Sequence, residues 1–279
     1  MRRILRAIFH HPSGRIGGGI VLVYLALAAL GALGLTPHDP LMQYRLDRLH
    51  PPGAAYWLGT DLFGRDIASR LMVGIGQSFF VAFLSVAAAA SIGTVLGLTA
   101  AWVGNLWDGV VMRGMDVLLA FPAILLALLI VAILGPGTWT SVLAIAFVYM
   151  PIFTRVVRGP ALSLKTREFV DAARTFGSSS RYILTRHLLL NIVAPLTVQV
   201  TLALAWGLLT EAGLSFLGLG TQPPAPSLGL MLSDSRNLME TAPWLMIAPG
   251  VTIMIGILGF NLLGDALRDI LDPKTRGRA

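Results

Sequence analysis

Uncharged stretches of this chain, among them residues 16–37, 71–107 and 117–154, reach lengths that a water-soluble fold does not sustain. About 20 apolar residues cross the hydrocarbon of a bilayer as a helix, so the second and third runs each exceed one crossing, and a break is needed to divide the third into two. The composition agrees. Only 13% of the 279 residues are charged and 55% are hydrophobic, where a soluble domain carries about 25% charged residues. The chain is a polytopic membrane protein.

Six spans follow. Residues 16–37 form the first. Their apolar run exceeds the roughly 7–15 residues of a signal peptide's core, so the segment reads as an uncleaved span. The second covers 78–102 and contains Gly93 and Gly97 at GxxxG spacing, which lets two helices approach closely. Residues 104–113 read as a short loop. Gly135-Pro136-Gly137 divides the third uncharged run into spans at 113–134 and 138–157, with Pro122 kinking the first of these. The fifth span covers 188–212 and the sixth 242–263. With both ends inside, 16 of the 21 Lys and Arg residues are cytoplasmic, and only Arg45, Arg48, Arg65, Arg70 and Arg236 are external. The inverted arrangement reverses that bias, so the positive-inside rule selects cytoplasmic termini. The net charge of +7 then belongs to the loops and is no sign of a nucleic-acid partner.

Residues 167–195 stand apart. Arg167, Arg174, Arg181, Arg186 and His187 cannot sit in hydrocarbon. Residues 168–176 are good helix formers, Gly177 suits a left-handed turn, and Ser178, Ser179 and Ser180 follow. The expected form is a short cytoplasmic helix, a glycine turn and a re-entry helix. Outside, residues 37–77 hold helix breakers and charges of both signs, and Thr60 or Asp61 is placed to cap the helix that follows.

Asp171, Ala172, Ala173, Gly177, Ile183 and Pro195 match the "EAA" coupling loop of ABC-importer permeases, with Asp171 where that family usually has Glu. The stretch Leu58, Gly59, Thr60, Asp61, Gly64, Arg65, Asp66, Ser69 and Arg70 resembles a signature of the dipeptide, oligopeptide and nickel branch. So does the run from Leu214 through Phe216 and Gly218 to Gly220 before a proline-rich stretch, although Leu228 replaces a usual Trp. The resemblance covers about residues 56–273. It implies an all-α membrane subunit with the six-helix, type I ABC importer permease fold: a basic N-terminal segment and extra span (1–36), an external loop and pre-membrane helix (37–77), a five-helix transport core (78–264, coupling loop 160–187) and a cytoplasmic tail (265–279).

The same resemblance implies partners: a second homologous permease chain, two ATPase subunits and a periplasmic or lipid-anchored solute-binding protein, in a bacterial or archaeal cytoplasmic membrane. Asp171, Ala172, Ala173 and Gly177 then form the ATPase contact, and Ala172 with Ala173 a small-sided face for a groove. ATP and Mg belong to the partner ATPases, since the chain has no G-x-x-x-x-G-K-[ST] loop and is expected to hold no cofactor. The cargo is a di- or oligopeptide, or alternatively nickel or a metal chelate. The five histidines fall at no metal-ligand spacing. Asp61, Gly64, Arg65 and Asp66 form the external signature, for which structural pairing of Asp with Arg is the plainer role. Two acids lie where acids are costly: Asp116, either hydrated at the interface, paired with a nearby Arg or on the pathway, and Glu211, which with Phe216 and Gly218 is a gate candidate. A secondary transporter needs coupling acids at mid-membrane and internal repeats, and neither is visible. A membrane enzyme needs a nucleophile–base or metal constellation, and none is present.

The orientation is testable because the chain has no cysteine. Ser179→Cys is expected to resist an impermeant thiol reagent in intact cells, and Gln222→Cys to react. Labelling of position 179 from outside overturns the topology.

Overall fold

The computed structural model describes Ala7 and residues 10–271. Arg2, Arg3 and Arg6 of the basic N-terminal segment, and Lys274, Arg276 and Arg278 of the tail, lie outside the described residues. Among the described residues there is no β-strand, only an isolated bridge between Thr60 and Asp66.

Nine helices are named here in chain order. They are α1 (Pro12–Ala32), α2 (Ile67–Val103), α3 (Asn105–Leu119), α4 (Ala123–Leu134), α5 (Thr138–Lys165), α6 (Glu168–Thr175), α7 (Ser180–Phe216), α8 (Leu228–Ser235) and α9 (Trp244–Leu271). Helices α1, α2, α5, α7 and α9 are each long and apolar enough to cross a membrane, and the bent pair α3–α4 makes a sixth crossing if taken as one span.

Two expectations are corrected at α3–α4. Residues 105–113 are not a loop, because helix starts directly after a one-residue turn at Gly104. The third span is not merely kinked, because its halves meet at 93° around Pro122. Proline lacks the N–H that would continue the ladder, and the residue before it is pushed out of the helical region.

The core forms around α2. At 37 residues it runs about 55 Å, well beyond the hydrocarbon. It crosses α5 at the paired glycines: a Cβ on Gly93 would lie 2.6 Å from Phe153 Cβ, and one on Gly97 2.6 Å from the Thr154 carbonyl oxygen. Phe153 is fully buried there among alanines and valines. Between helices in lipid there is no hydrophobic drive, so such close van der Waals contact supplies the association. Helix α1 is joined to the bundle as tightly. The Tyr24 hydroxyl donates to the Thr252 carbonyl at 2.7 Å, and its ring stacks on Phe79.

Gly93→Val and Gly97→Val are therefore expected to disrupt the α2–α5 crossing, with low yield from the membrane and a lowered unfolding midpoint in detergent. Gly19→Ala is the control, since nothing lies within 4 Å of the added methyl. Thermal unfolding of all three against wild type checks this, and wild-type behaviour of Gly97→Val contradicts it.

Candidate functional site

The inner loop is built from helix chemistry. Glu168 and Asp171 lie in the first turn of α6 and Arg174 in its last, each matched to the helix dipole. Gly177 holds φ +77°, and the Gly177 and Ser178 amides close the end by donating to the Arg174 and Ala173 carbonyls. That is the left-handed glycine stop expected of this sequence. The Arg174 guanidinium also sits 4.5 Å from the Trp102 ring centroid, and Lys165 Nζ donates to the Ala101 and Trp102 carbonyls at 3.0 and 2.7 Å. The loop is thereby pinned to the end of α2.

The two alanines part company. Val170 and Ala173, three residues apart, form the inward stripe of α6 and pack with Leu98, Val157, Ile183 and Leu188. Ala172, one residue away and so about 100° around the helix, is exposed. The reading that puts Ala172 and Ala173 on one partner-facing surface is corrected: Ala173 faces its own chain. Among the polar residues exposed on α6 and its C-cap stand two aromatics. Phe176 is 89% exposed, and Phe169, two turns before it, is also exposed. Sequence reasoning passed over both, although an aromatic directly before the stop glycine among polar neighbours is a readable signal. Beyond the turn, Ile183–Leu188 is wound as a π-helix, a form that concentrates at functional places.

The outer signature is a self-locking turn. One Asp61 carboxylate oxygen accepts from the Phe63 and Arg65 amides, and the other from Arg65 Nε at 2.6 Å. Asp66, not Thr60 or Asp61, caps α2, accepting from the Ser69 amide and hydroxyl. Asp61 is occupied by Arg65, and the Thr60 hydroxyl bridges the His50 amide and the Asp47 carbonyl. Gly64, at φ +77°, passes so close to Tyr44 that a Cβ would overlap its carbonyl oxygen.

The gate candidates separate. Glu211 is 1% exposed, enclosed within the chain where α7 meets α2 and α8, with Ser215 donating to it at 2.7 Å and the Ser78 and Ser227 hydroxyls beside it. The expectation that it borders an open pathway is corrected: the serine hydroxyls draw it inward and it joins three elements. Phe216 is half-buried and Gly218 exposed at the end of α7. Asp116 is paired with Arg155 at 2.5 Å, and Asp108 with Arg158 through two bonds of 2.5 Å, so both acids tie α3 to α5. Among the described residues no group of three or more His, Asp or Glu side chains is placed to hold a metal.

Comparison with known proteins fits this architecture. Residues 93–277 match the family described as binding-protein-dependent transport system inner membrane component. The dipeptide transport system permease protein DppC of Alkalihalophilus pseudofirmus is 45% identical over 261 residues, covering 94% of this chain and 86% of that protein. The glutathione transport system permease protein GsiD of Pectobacterium atrosepticum is 42% identical, covering 99% and 90%. In three dimensions the chain is similar to one from the MetNI methionine ABC transporter in an inward-facing conformation (TM-score 0.59, 19% identity, 72% of this chain and 96% of that one), which shows the type I importer permease fold. By sequence and by fold, the chain belongs to the binding-protein-dependent transport system inner membrane component family.

Proposed function

We propose that this permease forms half of the translocation pathway of an ATP-driven importer for di- and oligopeptides, beside a second homologous permease chain. Two separate ATPase subunits bind ATP and Mg and hydrolyse the nucleotide. An external solute-binding protein delivers the cargo. The chain itself carries no cofactor, and its N- and C-termini face the cytoplasm of a bacterial or archaeal cell.

The observation that carries this reading is α6: a short, capped helix outside the spans, braced against α2 and α5, with Phe169 and Phe176 turned outward. An exposed aromatic on a rigid mount is the anatomy of an interface hot spot. The peptide cargo is supported by relatives named for dipeptide and glutathione transport. Uptake of labelled dipeptides and of nickel, in cells lacking and regaining this chain, tests the cargo. Restored dipeptide uptake is expected, and restored nickel uptake alone overturns the peptide reading.

Coupling is tested at two residues. Gly177→Val forces a β-branched residue into a left-handed conformation that costs roughly 1–2 kcal/mol, and Phe176→Asp removes the exposed ring. Both variants are expected to insert normally and to lose roughly tenfold or more in ATPase recruitment. Normal recruitment and normal solute-stimulated hydrolysis in both places coupling elsewhere.

A further inference from the structure

The external signature does more than brace a turn. Between it and α8 lies a cavity of about 200 Å³. Asp61, Arg65 and Arg70 line one side and Asp234 another, while Ile67, Met231, Leu238 and Leu245 make an apolar arm. A wider cavity of about 520 Å³ shares Phe63, Arg65, Arg70 and Asp234 with it and continues past Gln43 and Pro223. The charges therefore stand where the two spaces meet.

Two of these charges are under-used. Arg70 is 2% exposed, yet its contacts are long: 3.7 Å from Nε to Asp61 and 3.4 Å from Nη1 to the Pro40 carbonyl. Asp61 itself is taken up by Arg65 at 2.6 Å. A buried guanidinium without a close acid is costly, and its planar fork suits a carboxylate. Asp234, an exposed residue at the rim, has no ion-pair partner within 4 Å among the described residues. Loss of water around its carboxyl raises its pKa, against the opposing pull of Arg70 and Arg65.

The geometry points to a binding site for a small zwitterion with an apolar side chain, its carboxylate on Arg70, its ammonium on Asp234 and its side chain among Met231, Leu238 and Leu245. Few convergent polar groups over an apolar wall is the usual build of a small-molecule site, and the smaller cavity lies below the ~300–1,000 Å³ of sites for drug-sized ligands. The occupant is on the scale of one or two amino-acid residues. A free amino acid and the termini of a short peptide offer the same chemistry. The choice of a peptide rests on the proposed function above.

The test uses the full chain with its partner permease in lipid nanodiscs, without binding protein, and radiolabelled leucyl-leucine as probe. Saturable binding is expected. It should weaken roughly tenfold, the equivalent of 1.4 kcal/mol, in Asp234→Asn, whose rim position spares the fold, and in Leu238→Trp, which fills the apolar arm. N-acetyl-leucyl-leucine amide, with both termini blocked, should not compete. Free leucine competing as well as the dipeptide supports the zwitterion site with an amino acid as its ligand. Absent binding, binding unchanged in Asp234→Asn, or equal competition by the blocked peptide overturns it. So does loss of binding-protein docking in Asp234→Asn when leucyl-leucine never binds, which makes the cavity a protein contact. Intact binding with no peptide uptake by cells defeats the import reading and leaves the site standing. Uptake with binding indifferent to both substitutions does the reverse.

Discussion

The close crossing of α2 and α5 at Gly93 and Gly97 sets the position of almost everything else. Backbone meets side chain there at distances that leave no room for a methyl group, and Phe153 fills the space beside it. Helix α5 carries its lower end to Lys165, whose ammonium caps the final carbonyls of α2. Helix α6 follows three residues later. The other end of α2 begins at Asp66, within the outer turn. A single helix of 37 residues thus has the Asp61–Asp66 turn at one end and the mount of α6 at the other. Its length and its contact with α5 make the two ends parts of one packed body.

Charge is spent sparingly inside that body, and where it appears it joins elements. Arg155 and Arg158 on α5 take Asp116 and Asp108 of α3, and these pairs hold the lower limb of the broken span. The break itself exposes the amides and carbonyls of two helix ends. Irregular backbone at membrane depth is tolerated where protein or water meets it, not lipid. Glu211 works differently, because its partners are hydroxyls. Ser215 donates to one of its oxygens while the other has no hydrogen-bond partner among the described residues, and the Leu228 amide donates to the nearby Ser78 where α8 docks.

Much of this was readable in the chain. Uncharged runs located the spans, GxxxG located a close helix crossing, and Gly177 located the end of α6, because each of these depends on local composition or on one residue's backbone preference. What escaped depends on distant contacts. Residues 104–113 read as a short loop, yet 105–113 are helical and Asp108 is answered by Arg158 fifty positions on. Thr60 and Asp61 were the expected caps. The choice fell to Asp66 because Arg65 engages Asp61 and Thr60 is held by residues 47 and 50. Ala172 and Ala173 are alike in sequence, and only the neighbouring hydrophobic cluster decides which of them turns inward.

Two of the left-handed glycines, Gly64 and Gly177, show how differently the turns near the two ends of α2 are constrained. At Gly64 the backbone conformation and the space both exclude a side chain, since the Tyr44 carbonyl occupies the place of its Cβ. At Gly177 the conformation alone does so, and nothing lies within 4 Å. A Cβ at Gly177 costs only the left-handed penalty of roughly 1–2 kcal/mol, while at Gly64 the overlap adds to it and forces the Tyr44 segment to move. The outer turn is fixed by its own side chains, through Asp61, Arg65 and the cap at Asp66. The inner loop is fixed on one face, where Val170 and Ala173 enter the core, and open on the other, where Phe176 stands in solvent. Under the function proposed above, α6 is the end that meets another subunit, and a contact surface left open by its own chain fits that role.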